Sequence, residues 1–332
     1  VGDIGQISLY LVTAAMTAYL VATIAFATDF SRLAADRPAR TKERRLATVG
    51  APSSVEDAVS ADVPVDTEVP DPRGPATEAE QLPQRRKAAG IGMSTFTVAT
   101  LLLLAGVVTR GVAAGRVPWA NMYEFTMVSV LVASALFLGL NRRRDLRFLG
   151  TFIALFAVAA ITLALVELYT DPNAVQPALQ SYWLVIHVSI AASSMGVFGT
   201  AAVVSGLQLA KDRAVTKGGA QRRILAQLPP AIDLERLAFR INAVGFVLWT
   251  FVLITGAIWA EHSWGRYWGW DAKETWSFII WVVYAAYLHA RATRGWEGRR
   301  AAWFSVAGFI SILVNYYVVN LFVNSLHSYA GV

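Results

Sequence analysis

The chain has 332 residues, of which 55% are hydrophobic and only 16% charged, and its mean hydropathy is +0.46. Soluble globular chains are about one-quarter charged, so this composition argues against a water-soluble enzyme and for a membrane protein. The net charge of +6 sits in clusters of Lys and Arg, and the absence of cysteine excludes disulfides, thiolate metal sites and thiol redox chemistry carried by this chain.

Eight apolar segments follow one another, at residues 5–27, 93–108, 122–140, 148–166, 183–209, 241–259, 276–288 and 302–323. The first is long for the apolar core of a signal peptide and has no basic stretch before it, so it reads as a span rather than a cleaved leader. In lipid the backbone must satisfy its own hydrogen bonds, which leaves helices or a closed barrel. No two-residue alternation is present, so the barrel is excluded. The expected fold is all-α, a polytopic membrane bundle of about eight transmembrane helices.

Lys and Arg mark the cytoplasmic loops of such a protein rather than a nucleic-acid surface. Basic runs follow the first, third, fifth and seventh segments: Arg32 to Arg45, Arg142 to Arg147, Lys211 to Arg223 and Arg291 to Arg300. The alternate loops are poor in both residues. This orientation puts both termini on the outer side of the plasma membrane. Residues 29–90 are rich in Pro, Ala, Asp and Glu and cannot bury enough apolar area to order themselves. They are expected to form a disordered cytoplasmic linker between a first helix at 1–28 and a main membrane domain at 91–332.

Between the sixth and seventh segments lies an expected external loop, residues 260–276. It carries Trp264, Trp268, Trp270 and Trp276, with Tyr267, two glycines and the charged residues Arg266, Asp271, Lys273 and Glu274 between them. One or two tryptophans would read as an interfacial belt. Four in so short a stretch, with polar groups between them, suggest an apolar platform for a large planar ligand. A porphyrin fits that description. Its faces are apolar, its two propionates suit Arg266 or Lys273, and its iron needs axial ligands.

The run from Trp264 to Trp276 resembles the WWD signature of the haem-handling proteins of cytochrome c biogenesis, in particular the CcsA (ResC) type of the System II cytochrome c synthase. Pro118-Trp-Ala-Asn-Met-Tyr-Glu124 and Leu326-His327-Ser-Tyr329 extend the resemblance, which covers roughly residue 93 to the end. Ala272 departs from it where proline is expected, and Ser325 where glycine is commoner.

There are four histidines. His187, early in the fifth segment, and His327, just after the eighth, fall on the same expected side as the tryptophan loop. Paired axial histidines are a common way to hold haem iron, and the resemblance matches these two to the family's external haem ligands. His289 lies near the opposite end of the seventh segment, roughly 20 Å from Trp276 at 1.5 Å per residue, too far to share that iron. The resemblance makes it an inner haem ligand whose second ligand comes from a partner chain, a CcsB/ResB-type membrane subunit. His262 reads as a solvated loop histidine. Asn315, Asn320, Asn324, Arg240 and Asn242 read mainly as interhelical hydrogen-bonding groups. Asn324 is also close enough to His327 to support it, and Tyr123 and Glu124 are expected to face the external site.

The resemblance implies haem b, bound non-covalently in transit and presented at the external site to an apocytochrome c bearing Cys-x-x-Cys-His, with a separate thiol-reducing system and membrane lipid as further partners. No general acid or base is required; the chain would position the reactants. Three other readings compete: a haem export permease, which would need an ATPase partner; a b-type electron-transfer protein using His187 and His289; and a scaffold whose tryptophan loop binds lipid. Placing those two histidines near opposite membrane faces argues against the second.

Overall fold

The computed structural model describes residues 2–49, 86–172, 181–217, 225 and 227–327, with side chains from 3 to 32 in the first stretch and up to 214 in the third. Among the described residues every regular element is helical: α1 (Gly2–Val49), α2 (Lys87–Ala114), α3 (Met122–Arg143), α4 (Arg147–Glu167), α5 (Tyr182–Lys217), α6 (Ala231–Trp264), α7 (Ala272–Arg294) and α8, which runs from Arg299–Leu313 through a π-helical turn, Val314–Val319, to Asn320–Phe322. Seven of the eight are long and apolar enough to cross a membrane. The exception, α7, has 23 residues, about 34 Å at 1.5 Å per residue. It falls short in hydropathy because Lys273, Glu274 and its amphipathic aromatics stand where other spans carry aliphatic residues. The outward surface is correspondingly apolar: Leu101, Val108, Phe251 and Ile310 are each more than half exposed, as lipid-facing residues of a span are.

The helices alternate in direction. Ser8 Oγ donates to the Gly106 carbonyl at 2.7 Å, joining the start of α1 to the end of α2. One end of the bundle therefore holds the starts of α1, α3, α5 and α7 and the ends of α2, α4, α6 and α8. The basic residues Arg142, Arg143, Arg144, Arg291 and Arg294 lie at the other end.

The bundle has two halves. In the first, α1 packs on α2 and α4, and Tyr19 on α1 donates to Ser134 on α3 at 2.8 Å and bonds Thr100 on α2 at 3.2 Å. In the second, α5 packs on α6 and α8, and Ser305 accepts from Ser205 at 2.9 Å and from Asn242 at 2.8 Å. Asn242 is thus an interhelical bonding group, as its sequence context suggested. The halves meet where α3 crosses α5. Gly196 permits this crossing, since a Cβ there would stand 2.4 Å from the Ser129 carbonyl oxygen.

The helices are longer than the apolar segments that announced them. Helix α1 continues to Val49 and α2 begins at Lys87, so both ends of the segment expected as linker are helical; residues 50–85 lie outside the described residues. Ala, Arg, Leu, Lys and Glu dominate 33–49 and are strong helix formers, so helix outlasts apolarity. At the other boundary of interest, α6 and α7 take up most of the expected 260–276 loop. Only residues 265–271 are irregular. Gly265, at φ 68°, ends α6 in the left-handed conformation that glycine adopts without steric penalty. Helix α8 ends at Phe322, so Asn320 and Asn324 are not stacked on one helix, and Asn324 is exposed.

Candidate functional site

At the end of the bundle opposite the basic residues, α3, α5, α6, α7 and α8 enclose a cavity of about 410 Å³. That lies within the range of small-molecule sites, roughly 300–1,000 Å³. Its walls carry Trp119, Trp249, Trp259, Trp264, Trp268 and Tyr316, with His187 and His327 both facing in. It reaches down α5 through Val188 and Ala191 to Met195. Below Met195 the bundle is closed: Phe198 and Tyr284 stack at 3.8 Å, and both are fully buried.

His187 is set by α6. Its Nδ1 lies 3.0 Å from the Val252 carbonyl oxygen. A carbonyl only accepts, so Nδ1 carries the proton and Nε2 the lone pair. Gly256 makes room for the ring, because a Cβ there would fall 2.8 Å from it. Trp259, one turn on, lies parallel to the imidazole at a centroid distance of 6.1 Å.

His327 is set by the tryptophan loop. Its Nδ1 donates to Asp271 Oδ2 at 2.9 Å, which again places the lone pair at Nε2. Trp264 and Trp259 hold the ring at 5.0 and 5.7 Å. Burial lowers the His327 pKa and the Asp271 bond opposes this without cancelling it, so the ring stays neutral to below its ordinary 6.5. For Asp271, burial disfavours the charge, yet the bonds from His327 and from the Leu326 and Lys273 backbones hold its carboxyl below the usual 3.8. A carboxylate behind an imidazole is the usual arrangement for a metal-ligating histidine, fixing its tautomer and raising its basicity.

The loop itself is shaped by Glu274. Its carboxylate accepts from the Gly269 N–H at 2.8 Å, the Asp271 N–H at 3.0 Å and Arg266 Nη1 at 3.0 Å. Arg266 lies over Trp264 and does not line the cavity. Lys273 does line it, donating to the Asn315 carbonyl at 3.0 Å and Asn320 Oδ1 at 2.7 Å. Of the four loop tryptophans, Trp264 and Trp268 face the cavity. Trp270, at φ 57° and 65% exposed, turns away onto Phe278, and Trp276 stands on α7 outside the cavity lining.

Two other expectations move. Glu124 and Tyr123 do not face the cavity. Glu124 is buried beneath the 116–121 loop, bonded to Arg110 at 2.9 Å, Arg116 at 2.7 Å and the Ala120 N–H at 3.0 Å. Tyr123 packs on Tyr169. Their neighbours Trp119, Asn121 and Met122 line the site instead, with Asn121 capping α3. His262 is exposed on the last turn of α6, bonded to the Ile258 carbonyl. His289 is exposed on α7 at the opposite end, on no shared wall with His187 and His327. Residues 328–332, including Tyr329, lie outside the described residues.

Trp259, Trp249 and Gly256 were not singled out by sequence reasoning. Trp259 carried one signal, its position at the end of the sixth apolar segment, five residues before Trp264. Gly256 carried none, since its role exists only against α5.

The fold and site define a membrane helix bundle with an aromatic cavity at one end, into which two imidazoles face. Residues 119–327 match the family of cytochrome C assembly proteins, and this chain belongs to that family. It is 37% identical over 264 residues to the cytochrome c biogenesis protein CcsA of Prochlorococcus marinus strain MIT 9303, covering 70% of this chain and 81% of that one. It is 37% identical over 257 residues to CcsA of Synechococcus sp. strain RCC307, covering 70% and 82%. With CcsA of Guillardia theta it shares 33% over 259 residues, covering 72% and 85%. Its process is cytochrome c biogenesis, and it is a membrane protein of the CcsA type.

Proposed function

We propose that the cavity holds haem in transit and presents it for covalent attachment to apocytochrome c. The observation that carries this reading is the pair His187 and His327, which face one aromatic cavity, each with Nδ1 bonded to an oxygen acceptor so that the lone pair iron would need is at Nε2. Trp259, Trp264 and Trp268 supply apolar contact for the macrocycle. Two axial imidazoles would keep oxygen from the iron until the client arrives. The client's two thiols would then add across the haem vinyl groups, each S–H bond replaced by C–S and C–H bonds, while its own histidine takes over one axial position. The chain contributes position and exclusion of water, and its lack of cysteine leaves thiol reduction to another protein.

The cavity end is the extracytoplasmic side of the plasma membrane in this reading, because the basic loops lie at the other end and such loops stay in the cytoplasm. Both termini are then outside. His289 is an inner haem ligand exposed toward a CcsB/ResB-type subunit that donates the second ligand. The Phe198–Tyr284 stack closes the bundle axis below the cavity, which favours a lateral route for haem between the inner and outer sites.

The test is an absorption spectrum and pyridine haemochrome assay on the detergent-purified chain, beside the His187→Ala/His327→Ala double variant. The expected result is a low-spin Soret band in the wild type, reduced by about tenfold or more in the variant, with residual haem at His289. No haem in the wild type, even with its partner subunit co-expressed and haem supplied, would sink the reading and promote a lipid-binding scaffold.

A further inference from the structure

Among the described residues, the cations at the cavity end differ in how they are paired. Arg116 is held by Glu124 at 2.7 Å and Arg266 by Glu274 at 3.0 Å, and Asp271 is turned onto His327 at 2.9 Å. Lys273 is different. Among the described residues it forms no ion pair, and its ammonium is met only by the neutral oxygens of Asn315 and Asn320. A charge in an apolar wall is costly unless it is paired, so an anion reaching this part of the wall would be met and stabilised by Lys273.

The backbone supports the same reading. The π-helical turn Val314–Val319 sits in α8 beside Lys273, and such turns are rare and concentrate at functional sites. Here the turn brings the Asn315 carbonyl and the Asn320 side chain to the one ammonium. Asn315 lines the cavity at 4% exposure, its side-chain amide donating to Ser277 at 3.3 Å. A lysine and a widened helical turn converge on one patch of wall.

We infer that Lys273, steadied by Asn315 and Asn320, is the carboxylate anchor of this cavity, and that Arg266 is not. The inference rests on the haem reading and deepens it. Haem carries two propionate carboxylates, and Lys273 takes one of them, so the site selects porphyrins with a free carboxylate and sets the ring's rotation between the two imidazoles. Arg266 is spent on shaping the loop through Glu274.

The test titrates haem and haem dimethyl ester, whose propionates are capped, into the detergent-purified, haem-free chain and follows the Soret band. The wild type is expected to prefer haem about tenfold, as loss of one charge-assisted hydrogen bond implies. In Lys273→Met the affinity for haem falls about tenfold, the affinity for the ester changes less than twofold, and the low-spin spectrum persists. Lys273→Arg retains the preference, and so does Arg266→Gln. Lys273→Gln, which can still bond Asn320, replaces the Met variant if that one does not fold, with the same expected loss of preference. A wild type that binds both porphyrins equally, a Lys273 variant that keeps the preference, or one that weakens both ligands alike would overturn the anchor while leaving the haem reading intact. A wild type that binds neither porphyrin defeats the haem reading itself.

Discussion

At the scale of single residues the two cavity histidines are held by different means. His187 leans on a backbone carbonyl and on the space left by Gly256, whereas His327 leans on a charged carboxylate. Asp271 therefore matters to one ligand only, and Asp271→Asn isolates that contribution. Asn caps helices as well as Asp does, so α7 is expected to keep its start. The haem affinity is expected to fall about 10- to 100-fold, the usual effect of losing the group behind a metal-ligating histidine. Unchanged affinity in a haem titration would mean that His327 does not carry the iron. The pH dependence follows from the same residue. Protons compete with iron for Nε2, and the His327 pKa lies below its ordinary 6.5. The decline of haem occupancy on acidification is expected to be centred below pH 6.5, while a decline centred above 6.5 would contradict the buried, neutral ring.

At the scale of elements, the loop between α2 and α3 is organised by Glu124, whose fully buried carboxylate joins Arg110 on α2 to Arg116 in the loop. Removing one member of a buried charge cluster strands the others and costs about 3–5 kcal/mol. Glu124→Ala is thus expected to lower the melting temperature in detergent by several degrees and to loosen Trp119 and Asn121 at the cavity. Arg236→Ala serves as the comparison. Its partner Asp233 is 3.7 Å away and both side chains are more than half exposed, so the change should stay within about 0.5 kcal/mol. Equal melting temperatures for the two variants would show that the cluster does not hold the loop. The α6–α7 connection follows a related logic: Glu274 gathers two backbone N–H groups and Arg266, and the short turn it makes presents Asp271 to His327.

At the scale of the whole molecule, alternating helices sort charge to the two ends. The cavity end holds few cations, drawn onto Glu124, Glu274 or the cavity wall, while the other end carries the arginine runs, with Arg142, Arg143, Arg144 and Arg294 exposed and Arg291 paired with Glu235. That asymmetry predicts an orientation in which the cavity end is extracytoplasmic. The chain has no cysteine, so single cysteines report topology without background. Tyr267→Cys, on an exposed loop residue beside the cavity, is expected to react with an impermeant maleimide in intact cells. Arg294→Cys, at the exposed end of α7, should react only after permeabilisation. The opposite pattern would invert the membrane orientation and place the cavity in the cytoplasm.

Much of this molecule was legible in its sequence. The helical class follows from composition and from the backbone's need for hydrogen bonds in lipid, and the basic runs announced which loops share an end. His187, His327 and the tryptophan run could be singled out because unusual residues at short spacing stand out against an apolar background. What the chain alone did not decide was which side of each helix those residues occupy. Each residue adds about 100° around a helix, so the continuation of α6 to Trp264 and the restart at Ala272 set the directions of Trp264 and Trp276, while the turn gathered by Glu274 sends Trp268 to the cavity and Trp270 away from it. Lys273 and Arg266 are equivalent as charges in a sequence. Only the packing of α7 against the π-helical turn of α8 puts one in the cavity wall, while Glu274 draws the other away. Gly256, Trp259 and the closure of the bundle below Met195 likewise belong to contacts between helices far apart in the chain, which no local spacing encodes.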